Sequence, residues 1–424
     1  MNLFIKITKS TLFKISSLNS LGVIIKIAIG LVTSKLLAVF VGPSGMALVG
    51  NLRNFMTTLE SLSTLGFQNG IVKYVTENDN KKPELNKIIA TIFISLAAVT
   101  LLLSIGLFGL SSYWNATIFG ASYNYTSVIK LLAITMPWYA FSIFFLSVIN
   151  GLGKFKNVII ITILGNLIAL LVSLLLIFEF KTFGALVSIV VSPALLFFVT
   201  YYYICKEIAI FKTINFKNFD IKVIKNLGSY SVMALVSAIF CPIVYLAIRK
   251  NIIAKIGIEQ AGFWETISRI STYYLLFVTT ILTVYYLPKL IKASTRLETK
   301  AVFWNYYKYI FTIFLIGCIA IYFGRFILIE IVFTKDFLPV TNLFFWQLVG
   351  DVFKVASYIL AFNFFAKKLT TAFIVAEIAS LIVLYFSSIY LLEILGIQGI
   401  VIAYALDNFL YFIALVIYFR KILF

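Results

Sequence analysis

Apolar runs long enough to cross a membrane recur along the whole of this 424-residue chain. A helix needs about 20 such residues to cross a hydrocarbon core of ~30 Å. Only helices and closed β-barrels satisfy every backbone polar group inside a bilayer. A spanning barrel would show segments of about ten residues that alternate between apolar and polar, and these runs are unbroken. The pattern therefore predicts an all-α, polytopic membrane protein.

The composition leaves no long polar stretch for a soluble domain. Hydrophobic residues make up 62% of the chain and charged residues 12%, whereas an average soluble chain is roughly a quarter charged. The start, MNLFIKITKSTLFK, is basic like a signal peptide, but the apolar stretch after it is too long for one. We expect this first helix to remain in the mature protein.

Several kinds of chemistry are excluded by what the chain lacks. It has no histidine, and Cys205, Cys241 and Cys318 are scattered without metal-ligand spacing. Disulfide frameworks, zinc sites and histidine-based catalysis are therefore not expected. No G-x-x-x-x-G-K-[ST] segment occurs, so ATP hydrolysis is not expected either. We predict no metal and no cofactor, with energy supplied by an ion gradient, the membrane potential or the substrate gradient.

Polar breaks divide the chain into twelve predicted spans. The longest basic loop, at 206–225, lies midway and predicts two lobes, residues 1–210 and 211–424. The segments FGALVSIVVSPALLFF and QGIVIAYALDNFLYFI open the sixth and twelfth helices alike, which favours six helices per lobe and pseudo-symmetry. The other predicted breaks fall at residues 42–45, 77–87, 111–124, 151–156, 178–184, 249–259, 289–300, 324–339, 366–370 and 391–399.

The distribution of lysine and arginine predicts the orientation. With twelve spans, one set of loops and both tails carry 21 of these residues, and the other loops carry six. The first set includes Lys6 and Lys9, and the second includes Arg249, Lys250 and Arg325. Basic loops stay in the cytoplasm, so both termini are predicted to be cytoplasmic. The net charge of +19 then reflects cytoplasmic loops and not a nucleic-acid partner.

The remaining charges fall within or at the ends of the predicted spans, where each costs about 2.5–3.5 kcal/mol near the bilayer centre. Lys73, Lys130 and Lys308 lie near a membrane face and can extend their amines to it. The others mark an interior path unless they are paired. The full set comprises the cations Lys26, Lys35, Arg53, Lys73, Lys130, Arg269, Lys308 and Lys354 and the acids Glu60, Glu265, Asp351, Glu377 and Asp407.

Spacing along the helices suggests which charges can meet. Arg53 and Glu60 share a helix face two turns apart, which is too far for a tight pair and favours Arg53 as a phosphate ligand. Lys26 has Gly22 and Gly30 one turn away on either side, which suits a close helix contact or a cavity wall.

Two further pairs are close enough to form directly, Glu265 with Arg269 at i,i+4 and Asp351 with Lys354 at i,i+3. Such pairs could simply neutralise each other within the bundle. Alternatively, the cations hold an anionic substrate while the acids adjust the charge or carry a coupling ion. An amphiphile with a phosphate head fits a charged interior and an apolar exterior.

A family resemblance is carried by four segments, GPSGMALVGNLRNF (42–55), GFQNGIVKYV (66–75), VYYLPKL (284–290) and above all WQLVGDVFKVASY (346–358). They resemble the Wzx-type lipid-linked oligosaccharide flippases of Gram-negative bacteria. The nearest group is that of the enterobacterial common antigen and related O-antigen translocases, within the multidrug/oligosaccharidyl-lipid/polysaccharide exporter superfamily. The resemblance runs over nearly the whole chain.

This resemblance implies a multi-pass protein of the bacterial inner membrane, whose two lobes surround a central cationic cavity that opens to each side in turn. It implies a substrate of undecaprenyl diphosphate carrying a short sugar repeat. It assigns substrate binding to Lys26, Lys35, Arg53, Arg249, Lys250 and Lys354, to which Arg269 is added by position. The predicted coupling or counter-charge residues are Glu60, Asp351, Glu377 and Asp407.

The eighth helix departs from the family pattern. Arg269 stands where the resemblance leads us to expect a small polar residue, and Thr272 where it leads us to expect an aspartate. The charge pattern of this helix is therefore expected to be local to this protein, as an adaptation to a different repeat unit would be.

Two other functions remain open. A polymerase or ligase acting on the same lipid-linked glycans would need a large periplasmic loop with catalytic arginine or histidine, whereas the predicted loops are short and lack histidine. A cation-coupled drug exporter of the same superfamily would have a less basic cavity.

We predict a transporter, not an enzyme, that acts as a monomer on a lipid-linked oligosaccharide in membrane lipid. The polymerase and chain-length regulator of the same pathway are candidate partners.

Overall fold

The computed structural model describes residues 11–423. For residues 11–21, 211, 212, 226, 228–231, 233 and 234 it describes the backbone only. Within that range every regular element is a helix, which confirms the predicted all-α fold. Twelve long helices, α1–α12, span Thr11–Phe40, Gly42–Ser63, Lys82–Gly109, Thr126–Gly151, 155–180, 182–207, Ile221–Ile256, Ile258–Lys292, Arg296–Val332, Lys335–Ala366, Thr370–Leu395 and Ile397–Tyr418. Shorter helices lie at Gln68–Asn78, Ser111–Phe119, Ile210–Thr213, Phe216–Asn218 and Arg420–Leu423.

These helices account for each predicted span. Ten ranges among residues 11–423 are long and apolar enough to cross a membrane. One of them, Phe155–Glu207, contains both α5 and α6, because the non-helical backbone of Lys181 (φ 48°) separates the two. The more polar α2 lies outside the ten and carries Arg53 and Glu60.

Several predicted loops are shorter in the structure. Arg249 and Lys250 lie inside α7, which continues to Ile256, so their predicted place in a loop at 249–259 is wrong. The chain turns only at Gly257, where φ is 98°. Glycine reaches this conformation without steric cost, so a single residue suffices to end the helix.

Arg325 was also wrongly predicted to lie in a loop. It belongs to α9, which runs to Val332. Its Nη1 donates to the carbonyl of Tyr322, and its guanidinium lies 4.2 Å from the ring centre of Tyr322 and 4.6 Å from that of Phe326. These contacts let a cation remain in an apolar helix. Lys6 and Lys9 of the predicted cytoplasmic tail lie outside the described residues.

The helices group into two compact units. The first comprises the chain up to Leu36 together with Asn51–Ile243, and the second comprises Leu37–Gly50 with Val244–Phe424. A buried apolar cluster that includes Val75, Ile89 and Phe144 forms the core of the first unit. The predicted division between residues 210 and 211 and the predicted central cavity stay predictions.

Candidate functional site

Three charged side chains meet inside the second unit. Arg249 of α7 donates from Nη2 to Oε2 of Glu265 at 2.6 Å, and Nη2 of Arg269 lies 3.7 Å from Oε1 of the same carboxylate. The exposed fractions of Arg249, Glu265 and Arg269 are 1%, 7% and 4%. The predicted Glu265–Arg269 pair is therefore present, and Arg249 joins it. This Arg–Glu–Arg cluster (Arg249, Glu265 and Arg269) carries a net positive charge in a site shielded from solvent.

The surroundings of the cluster explain how it can be buried. The guanidinium of Arg249 lies 5.2 Å from the ring centre of Trp264, which stacks on Tyr245 at 5.4 Å. On α2, Gly50 faces the ion pair, and a Cβ at this position would lie 2.4 Å from Oε2 of Glu265 and 2.8 Å from Cζ of Arg249. The ion pair in its present position therefore leaves no room for a side chain at residue 50.

Arg269 retains hydrogen-bonding capacity. Its Nε and Nη2 atoms are buried and have no hydrogen-bond partner within the described part of the chain, since the 3.7 Å contact with Glu265 is an ion pair too long for a hydrogen bond. Buried donors are almost always bonded in folded proteins. The guanidinium fork is suited to carboxylate or phosphate oxygens. Arg269 can therefore bind an anion while its charge is partly balanced by Glu265.

Asp351 of α10 is the centre of a second polar cluster and is fully buried. The carboxylate accepts from Ser271 Oγ and Tyr404 Oη, each at 2.8 Å. The amine of Lys354 lies 5.3 Å from the ring centre of Tyr404. The donors that surround Asp351 come from α8, α10 and α12 and comprise Ser271, Tyr274, Gln347 and Tyr404. The carboxylate thus joins three helices, with a cation on the ring of one of its partners.

Two further acids connect α11 with α12. Glu377 is half-buried and accepts from the hydroxyl of Tyr411 at 3.3 Å. Asp407 is 6% exposed and accepts from Ser380 Oγ at 2.8 Å. Each of these acids is therefore held by a neutral hydroxyl group of the neighbouring helix.

In the first unit, Glu60 of α2 has partners on other elements. It accepts from the Tyr139 hydroxyl at 2.6 Å and from Nε2 of Gln68 at 3.3 Å. Arg53 lies two turns earlier on α2 and is half-buried. On α1, Lys35 is half-buried and Lys26 is exposed. The first unit thus combines a fixed carboxylate with cations that solvent can reach.

The structure brings only some of the predicted substrate-binding residues into contact with one another. It joins Arg249 to Arg269 through Glu265, whereas Lys250 is exposed on α7. The functional roles of all these residues stay predictions. Sequence reasoning did not identify Gly50 or the tyrosines that hold the carboxylates, Tyr139, Tyr274, Tyr404 and Tyr411. A buried tyrosine needs a partner for its hydroxyl, so tyrosines within spans were an available signal.

The chain is similar to known proteins over most of its length. A family model described as "Polysaccharide biosynthesis protein" matches residues 12–293. The chain is 26% identical over 402 residues to the lipid III flippase of Escherichia coli (strain K12), a match that covers 95% of this chain and 96% of that protein.

Solved structures show the fold. A multidrug resistance MATE family transporter of the MOP superfamily in its inward-facing conformation matches with a TM-score of 0.77 at 14% identity, covering 94% of this chain and 97% of that one. The lipid II flippase MurJ in its inward closed conformation matches with a TM-score of 0.72 at 14% identity, covering 96% and 87%. The chain therefore has the fold of MOP superfamily transporters.

Proposed function

The chain belongs to the family of polysaccharide biosynthesis proteins, and from this premise we propose that it is a flippase for a lipid-linked oligosaccharide. The relative that is a lipid III flippase and the fold of a lipid II flippase support this class of substrate. In finer terms, we propose an undecaprenyl-diphosphate-linked repeat unit of the O-antigen or enterobacterial common antigen type. The protein would move it from the cytoplasmic to the periplasmic leaflet of the inner membrane by alternating access.

The observation that carries the proposal is the buried, net positive Arg–Glu–Arg cluster with its open donors on Arg269. A diphosphate has the charge and the acceptor geometry that such a guanidinium binds. In the proposed mechanism Glu265 fixes the position of both arginines, so their donors need no rearrangement when the anion arrives. The proposed diphosphate and glycan ligands are Lys26, Lys35, Arg53, Arg249, Lys250, Arg269 and Lys354.

The acids have a separate proposed role. Because Asp351 accepts four hydrogen bonds, it acts as a counter-charge that holds Tyr404, and through it the neighbourhood of Lys354, in place. Glu60, Glu377 and Asp407 each accept from a hydroxyl group of another helix and are the candidates for carrying a coupling ion. Transport would then be driven by a gradient, without catalysis by the protein. The proposed orientation places both termini in the cytoplasm.

Deletion of the gene tests this function. We expect the lipid-linked repeat unit to accumulate on the cytoplasmic leaflet, because its synthesis continues while its transfer stops. The measurement is labelling of the glycan by a membrane-impermeant reagent in right-side-out and inverted membrane vesicles, where only the inverted vesicles should show the excess. Single repeat units accumulating on the periplasmic leaflet would instead indicate a polymerase or ligase. Absence of any accumulation would be the result expected for a drug exporter.

A further inference from the structure

The second unit contains a groove that no part of the proposed transport mechanism uses. It has a volume of about 750 Å³ and lies between α11 and α12, next to the end of α10. Ala372, Ala376 and Ala379 of α11 and Ala414 of α12 line it together with Lys368 and Thr371, and we call the end with Lys368 and Thr371 its mouth. Binding pockets for small molecules typically occupy about 300–1,000 Å³. The groove is therefore large enough to hold a ligand.

The neighbouring surface of α11 is typical of a helix face that contacts lipid. Along α11, Val375, Phe386 and Tyr390 are exposed by 63%, 65% and 65%. Side chains this large and apolar can be exposed in a membrane-spanning helix because acyl chains cover them. Glu377 and Asp407 are instead turned towards Tyr411 and Ser380 in the contact between the two helices. The groove is thus separate from the acids of the candidate site.

Basic residues predominate around the mouth, although Glu298 of α9 lies near Lys367. Lys367 and Lys368 precede α11, and Arg420 and Lys421 follow α12. Residues 366–376 and 414–423 contain no acid. An apolar groove that ends in a group of cations complements a molecule with an acyl chain and an anionic head. Basic pockets between membrane helices bind such lipids in other proteins.

We propose that this groove binds an anionic phospholipid, with an acyl chain along the four alanines and the phosphate beside Lys368. On the proposed orientation the bound lipid belongs to the cytoplasmic leaflet. The site does not depend on the flippase function, because none of its residues is a proposed substrate ligand. The bound lipid holds the ends of α11 and α12 together at the membrane surface.

Native mass spectrometry of the purified protein tests the proposal, with phosphatidylglycerol and phosphatidylethanolamine of identical acyl chains as the probes. We expect the protein to retain phosphatidylglycerol in preference. Lys368→Ala should reduce that binding roughly fivefold, since one lysine near a membrane surface contributes about that factor. Lys292→Ala removes an exposed lysine of α8 that does not line the groove and should leave binding unchanged.

A second variant tests the apolar part of the groove. Ala376→Trp fills it and should abolish the preference, whereas Ile382→Trp changes an exposed position of α11 outside the groove and should preserve it. Equal retention of the two lipids, or equal losses in Lys368→Ala and Lys292→Ala, would overturn the proposal. Preferential retention of undecaprenyl phosphate over phosphatidylglycerol would also overturn it, because the groove would then serve the substrate's carrier.

Discussion

Gly50→Ala is expected to lower the free energy of unfolding by about 1–3 kcal/mol, the usual cost of forcing an extra methyl group into a packed interior. The added methyl group would lie 2.4 Å from Oε2 of Glu265 and 2.8 Å from Cζ of Arg249, so one of these side chains must move. Both side chains are buried, so the shift must be accommodated within the packed interior. The measurement is the unfolding midpoint of the purified protein in detergent, converted to a free energy from the denaturant dependence.

The matched control is Gly317→Ala in α9, where an added Cβ would meet no atom within 4 Å. This variant should be neutral or more stable by up to about 1 kcal/mol, because alanine favours a helix over glycine. If the two variants were equally stable, the ion pair would tolerate a side chain at residue 50. The close approach of Gly50 would then not be a requirement of the fold.

Arg53→Ala is expected to reduce translocation of the lipid-linked oligosaccharide by roughly 10- to 100-fold, because a hydrogen bond to a charged group contributes about 1.5–3 kcal/mol. Arg53 is half-buried on α2, so its loss should leave the amount of folded protein in the membrane near that of the wild type. The measurement is delivery of the glycan to the periplasm in cells that produce equal amounts of each variant.

Arg325→Ala is the control for this prediction. It removes the same charge from a membrane helix, but the contacts of Arg325 are with Tyr322 and Phe326 of its own helix. Translocation by this variant should stay within about twofold of the wild type, because the contacts that it loses are those of one half-buried cation with its own helix. Normal delivery by Arg53→Ala would remove Arg53 from the substrate site, and an equal loss in both variants would show that any lost arginine impairs the protein.

The twelve helices could be predicted from the sequence because their signals are local. Run length identifies a span, and glycine or polar residues mark where the chain turns. The helix ends were less predictable, and α7 shows why. Arg249 reads as the start of a loop, yet it lies inside the helix and donates a hydrogen bond to Glu265, 16 residues away. The partner in a contact between two helices cannot be read from the sequence of either helix alone.

In the candidate site, too, contacts within one helix could be predicted and contacts between helices could not. The Glu265–Arg269 pair follows from i,i+4 spacing on one helix, so it could be predicted. The second arginine on Glu265 and the space beside Gly50 depend on how α2, α7 and α8 pack. Asp351 was identified as an acid within a span, but its donors come from three helices. The spacing of residues on one helix can be read from the sequence, whereas the packing of one helix against another cannot.

Reconstitution of the purified protein into liposomes is the most direct test of the proposed function. The liposomes would carry an undecaprenyl-diphosphate-linked oligosaccharide, and an impermeant reagent that reacts with the glycan would report its transfer between leaflets. Liposomes with the wild-type protein should exchange the glycan between leaflets far faster than protein-free liposomes, and those with Arg53→Ala should approach the protein-free rate. Equal rates with and without the wild-type protein, in the presence of an imposed proton or sodium gradient and a membrane potential, would show that the protein is not a flippase for this substrate.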